Sequence, residues 1–157
     1  MIAEFSVENF FSIKSPQKIS FEPSSDTFMF DEYSREVKDR VRLLKVGIIY
    51  GANASGKSNI LNAIEFFRML VLRMPKDRNE KTRAVPFMLD ETSRNETTKM
   101  SMSFYINQSK YILSFELDAK YIYSETLIVY DSIRRLNYIV AVMMRKQTPR
   151  PLTLGAI

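Results

Sequence analysis

Cysteine and histidine are both absent from this chain. Without cysteine there is no disulfide framework and no thiolate metal site. Without histidine, no imidazole can serve as general base, proton shuttle or metal ligand anywhere in it. Long apolar runs are missing too. No stretch of about 18 uncharged apolar residues occurs, so nothing reads as a membrane-spanning helix and no membrane partner is expected. The opening Met1-Ile2-Ala3-Glu4-Phe5 runs straight into strand-like alternation, without the basic region and apolar core of a signal peptide. With neither cysteine nor signal, the expected compartment is the cytoplasm. Acid is missing from one end. After Asp131 there is no Asp or Glu, and Arg134, Arg135, Arg145, Lys146 and Arg150 supply the whole net charge of +5. That end reads either as a solvated hairpin and tail or as an electrostatic contact for nucleic acid.

What is present suits one globular domain: 157 residues, 45% hydrophobic and 26% charged. The stretch Gly51-Ala52-Asn53-Ala54-Ser55-Gly56-Lys57-Ser58, with Asn59 behind it, fits the phosphate-binding pattern G-x-x-x-x-G-K-[ST] without a mismatch. Gly51 and Gly56 allow backbone angles that a side chain would forbid, so successive N–H groups from Asn53 to Asn59 can turn inward around a phosphate. Lys57 would reach the β- and γ-phosphates, and the Ser58 hydroxyl would sit on Mg²⁺. The following helix would aim the positive end of its dipole at the same anion. Expected ligands are therefore ATP and Mg²⁺.

Context supports the motif. Upstream, Leu43-Leu44-Lys45-Val46-Gly47-Ile48-Ile49-Tyr50 predicts a strand buried on both faces. Downstream, Ile60, Ile64, Phe67, Val71 and Met74 recur at helical spacing, and Pro75 ends the helix.

Elsewhere, Ala3, Phe5 and Val7 alternate with polar residues, as do Ile19 and Phe21, which predicts a hairpin. Residues 23–42 are polar and charged, and read as a connection or a short exposed helix. Residues 75–99 read as a loop anchored on the core by Val85-Pro86-Phe87-Met88-Leu89. Alternation then returns in Met100–Ile106, Tyr111–Leu117, Tyr121–Tyr130 and Tyr138–Met144, an antiparallel meander. Its methionines and aromatics read as core filling. Residues 146–157 have no period and read as an irregular tail. The expected fold class is α/β (α+β): a mixed sheet with the P-loop strand and helix at its centre and the meander alongside.

With Asn53 and Ser55 the motif becomes G-x-N-x-S-G-K-S, which resembles the P-loop of cassette-type ATPases, the group that includes SMC, RecF and OLD proteins. The strand Ile2–Glu8 followed by Asn9-Phe10-Phe11-Ser12-Ile13 is similar to the "strand, N-F-[RK]-S" start of such heads. The phrase from Leu44 to Leu61 is similar to bacterial AAA-type ATP-binding proteins related to the ATPase partners of some phage-defence systems. The resemblance covers residues 1–145 and implies the N-terminal lobe of an ATPase head. It also implies a second head as partner, because the complete family hydrolyses ATP between two heads. Phe11 stands where those heads often carry a basic residue, leaving Ser12 and Lys14 as nucleotide contacts to consider. No L-S-G-G signature and no switch histidine occur. Leu127-Ile128-Val129-Tyr130-Asp131 has the look of a Walker B strand, but Ser132 follows where a water-activating Glu is expected, and the run falls within the meander. ATP hydrolysis thus rests on the resemblance alone. A P-loop phosphotransferase and a nucleotide-gated interaction module are the competing readings.

Overall fold

The computed structural model describes residues 1–25, 29–72, 80–130 and, as backbone, 137–142. Its main element is a six-stranded antiparallel sheet. Strand β1 (Ile2–Glu8) pairs with β2 (Gln17–Ser20) on one side and with β5 (Thr98–Ile106) on the other. Beyond β5 follow β6 (Ser109–Leu117), β7 (Ile122–Tyr130) and β8 (Asn137–Val142). The hairpin at the N-terminus and all four meander strands are those the alternation predicts. The β5–β6 turn is made by Asn107 and Gln108, whose φ angles of 47° and 68° give the two left-handed positions of a tight hairpin turn.

Period-2 patterning sorts the sheet's faces. Phe5 and Val7 lie opposite Met102 and Met100, which in turn lie opposite Leu113 and Phe115. On the other face Ser6, Ser101, Ser114 and Thr126 follow one another across four strands. Helix α2 (Lys57–Leu72) covers the apolar face. The Phe67 ring meets Phe5 and Phe115 edge-on at centroid distances of 5.7 and 5.3 Å, and Phe66 meets Phe10 at 5.3 Å. The buried stripe of α2 is rotated from the expected one. Ala63, Phe66 and Phe67 are buried and Ile60, Ile64 and Leu70 pack beside them, whereas Val71 is 48% exposed. Met74 lies outside the described residues.

Three expectations are corrected. First, the run 43–50 is not a central strand, and the described sheet is antiparallel rather than mixed. Val41–Leu44 is a strand, β4, but it pairs with β3 (Ser34–Lys38) in a separate two-stranded hairpin. Residues 46–50 continue as irregular chain, with Ile48 83% and Tyr50 91% exposed. Apolar, β-prone side chains need neighbouring strands to become a buried strand, and the described residues place none beside them. Second, the polar stretch 23–42 holds not only a short exposed helix, as expected, in α1 (Phe30–Tyr33), but also the β3 strand. Arg42 ties these together: it pairs with Asp31 at 2.8 Å, donates to Ser34 Oγ at 2.9 Å and lies 5.0 Å over the Phe30 ring. Third, the loop before the meander is anchored by the buried Ala84 and by the backbone of Val85 and Phe87, while the side chains of Val85, Met88 and Leu89 are exposed. A short helix, α3 (Glu91–Asn95), follows.

Asp90 caps α3 by accepting from the Ser93 amide at 2.8 Å, and its other oxygen meets Lys14 Nζ at 2.8 Å. The Lys14 hydrogen bond first, and the Ser93 amide next, hold its carboxyl down to about 2, below the ordinary 3.8. A depressed carboxylate stabilises the fold fully above its unfolded value and loses that contribution as pH falls toward 2. In urea unfolding between pH 5 and pH 2, Asp90→Asn should therefore show a shallower stability loss than the wild type. Parallel curves would contradict the assignment.

Candidate functional site

The glycine-rich loop joins the exposed segment 46–50 to α2. Gly56 sits at φ +90°, a conformation a side chain would strain, and a Cβ on Gly51 would stand 3.0 Å from Ser55 Oγ. Ala54 adds a left-handed residue at φ 61°. The chain thereby curls and enters the helix at Lys57. The Ser55 amide donates to Ala52 O at 3.3 Å and the Asn59 amide to Gly56 O at 3.0 Å. Among the described residues, no backbone bond engages the amides of Gly56, Lys57 and Ser58, as expected for a helix's first turn.

The Lys57 side chain folds back over the loop. Its ammonium donates to Gly51 O at 2.9 Å and Ala52 O at 2.6 Å, with Ser55 Oγ at 3.5 Å. The Lys57 side chain thus gathers Gly51, Ala52 and Ser55 around its ammonium, with Gly56 and Ser58 flanking it in the chain. Asn53 and Ala54 are exposed. Two recesses of the described surface lie elsewhere, one beside Ser6 and Ser101 and one beside Arg35 and Gln108. A phosphate site built from backbone amides does not require a deep pocket.

The turn after β1 reaches this loop. Ser12 Oγ accepts from Asn59 Nδ2 at 2.5 Å and stands 3.6 Å from where a Cβ on Gly56 would lie. Lys14 points instead to Asp90. Phe11 is exposed and packs its ring edge against Phe10. Asn9, which sequence reasoning passed over as part of a motif, is 2% exposed and left-handed at φ 53°.

Leu127–Tyr130 belongs to β7, hydrogen-bonded antiparallel to β6 and β8, as the meander reading holds. Asp131, the basic residues from Arg134 onward and the tail 146–157 lie outside the described residues. Among the described residues no group of three or more acidic, Cys or His side chains could hold a metal, and no helix is long and apolar enough to cross a membrane.

A family model described as "AAA domain, putative AbiEii toxin, Type IV TA system" matches residues 48–140. The match takes in the glycine-rich loop, α2 and the meander. No curated protein matches the chain.

Proposed function

The chain belongs to this AAA-domain family, whose members point to nucleotide binding, and from that premise we propose that residues 51–58 are a P-loop binding ATP with Mg²⁺. One observation carries the reading: the left-handed Gly56 hands the chain directly to a helix whose first amides make no backbone bond, with the Lys57 ammonium folded back onto the carbonyls of Gly51 and Ala52. An anion at that point gains from both the amides and the dipole. The β- and γ-phosphates would draw the ammonium off the carbonyls of Gly51 and Ala52, exchanging neutral acceptors for charged ones, which are stronger. The Ser58 hydroxyl, at the second helical position, would take one place on Mg²⁺. The bound ion would neutralise phosphate charge. With Asn53 and Ser55 in the motif, the cassette type is the preferred subclass, and the chain would act as the N-terminal lobe of such an ATPase head.

A second head is the preferred partner, and Val46, Ile48 and Tyr50 favour it. These side chains are exposed on the irregular segment immediately before the loop. A partner strand laid along them would bury apolar surface that a soluble chain otherwise leaves wet.

Equilibrium titration tests the ligand class. Every contact named here is to phosphate or its metal, so adenosine should bind on the order of 100-fold more weakly than Mg·ATP. That is the cost of losing about two charge-assisted bonds of roughly 1.5 kcal/mol each. Equal affinities for adenosine and Mg·ATP would contradict the loop as the binding element.

A further inference from the structure

The turn that follows β1 clasps α2 at two heights. At one end the Phe10 ring lies in the core against Phe66, at 5.3 Å. At the other, Ser12 Oγ holds Asn59 Nδ2, seven residues earlier on the helix. Seven residues are two helical turns, about 10 Å, so the two contacts fix the helix's tilt as well as its position.

The turn itself is held rigidly. Phe10 and Ile13 exchange both backbone bonds at 2.8 Å, and the Phe11 amide donates to Val85 O at 2.9 Å. Asn9 anchors its base. Asn9 Nδ2 donates to the carbonyls of Ser93 and Glu96 at 2.8 and 3.1 Å, and its Oδ1 accepts from the Phe87 amide at 2.9 Å. A buried, fully engaged amide of this kind is a rigid mount. It makes Ser12 the protruding end of a fixed bracket.

We infer that Ser12 is a positioning residue: through Asn59 it sets the aim of the first turn of α2, and with it the amides that cradle phosphate. The inference rests on the nucleotide reading for its function, though the clasp itself does not. The first turn of α2 holds no fully buried residue. Ser58 and Leu61 are exposed, and Ala63 is the first buried residue. The core thus grips α2 from Ile60 onward and leaves residues 57–59, the phosphate end, to be held by something else. Asn59 Nδ2 to Ser12 Oγ is the side-chain bond that does so, across 47 residues of sequence.

The test has a ligand-free and a liganded arm. In unliganded protein, hydrogen exchange is followed at the Asn59 and Ile60 amides, which both donate to Gly56 O. Ser12→Ala should speed exchange there by about 3- to 10-fold, the worth of one net hydrogen bond. Its urea midpoint should match the wild type, because Ser12 is exposed. Ser12→Thr, which keeps the hydroxyl, should restore protection. In the second arm, Ser12→Ala and Asn59→Ala should each weaken Mg·ATP binding by a similar 3- to 10-fold, and the double variant should be no worse than either single one. Unchanged exchange in Ser12→Ala overturns the inference, as does a fully additive double variant or a loss that merely follows a lowered urea midpoint. If the wild type fails to bind Mg·ATP, the nucleotide reading falls, and the exchange arm still decides the clasp.

Discussion

Phe67→Ala is expected to cost about 3–5 kcal/mol of unfolding free energy, the range for emptying a buried aromatic site. Phe67 is 2% exposed and is the one ring of α2 that meets both β1, through Phe5, and β6, through Phe115. Both contacts are edge-to-face, so truncation removes ring–ring attraction in addition to buried area. The site cannot easily collapse, because its walls are two strands held in register by β5 between them. Domains of this kind are stable by only about 5–15 kcal/mol, so the variant should unfold at a far lower urea concentration with a similar slope. Leu72→Ala, at a 66% exposed position near the helix end, should stay within about 0.5 kcal/mol of the wild type. Equal losses from the two substitutions would mean that α2 does not seat on the sheet as described.

The meander and the β1–β2 hairpin were legible because their information is local. Alternation fixes the face of each strand, and Asn107-Gln108 fixes a turn. The helix after the loop was legible for the same reason, although not its bearing. The steps through Ile60, Ile64 and Phe67 continue equally well to Val71 or to Leu70, and only the sheet beneath selects Leu70. The run Val46–Tyr50 exposes the limit of such reading. Its composition reports β propensity, but whether it becomes a strand depends on neighbours that its own residues cannot specify. The β3–β4 hairpin was hidden for the opposite reason. Its strands carry charge instead of alternation and are mostly half-buried, with Ser34 and Leu43 as the two residues whose side chains are fully buried.

At the candidate site the turn into α2 was legible, since the position of Gly56 ahead of the helix is a local signal. The role of Asn9 was not. Its partners Phe87, Ser93 and Glu96 lie about 80 residues away in sequence, and nothing in the local pattern distinguishes a buried asparagine hub from a strand-end turn residue. Ser12 and Lys14 looked equivalent as polar residues of one motif. The fold separates them, sending Ser12 to Asn59 and Lys14 to Asp90.

Lys57 carries the largest ligand effect. Its ammonium supplies the only side-chain positive charge that the described structure folds over the loop, bonded to Gly51 O and Ala52 O. On the proposed reading, replacing it would leave the loop amides in place but remove the group that would neutralise the phosphate tail. Its bonds are to exposed loop carbonyls that water can satisfy equally well, so unliganded Lys57→Ala should unfold close to the wild type. The most direct measurement of the central claim is therefore unfolding of both proteins with and without Mg·ATP. With ligand at about 100 times its dissociation constant, the wild type should gain roughly 2.7 kcal/mol, and Lys57→Ala should gain nothing at that concentration. An equal gain in both proteins, or none in the wild type at millimolar Mg·ATP, would contradict the assignment of residues 51–58 as the nucleotide-binding loop.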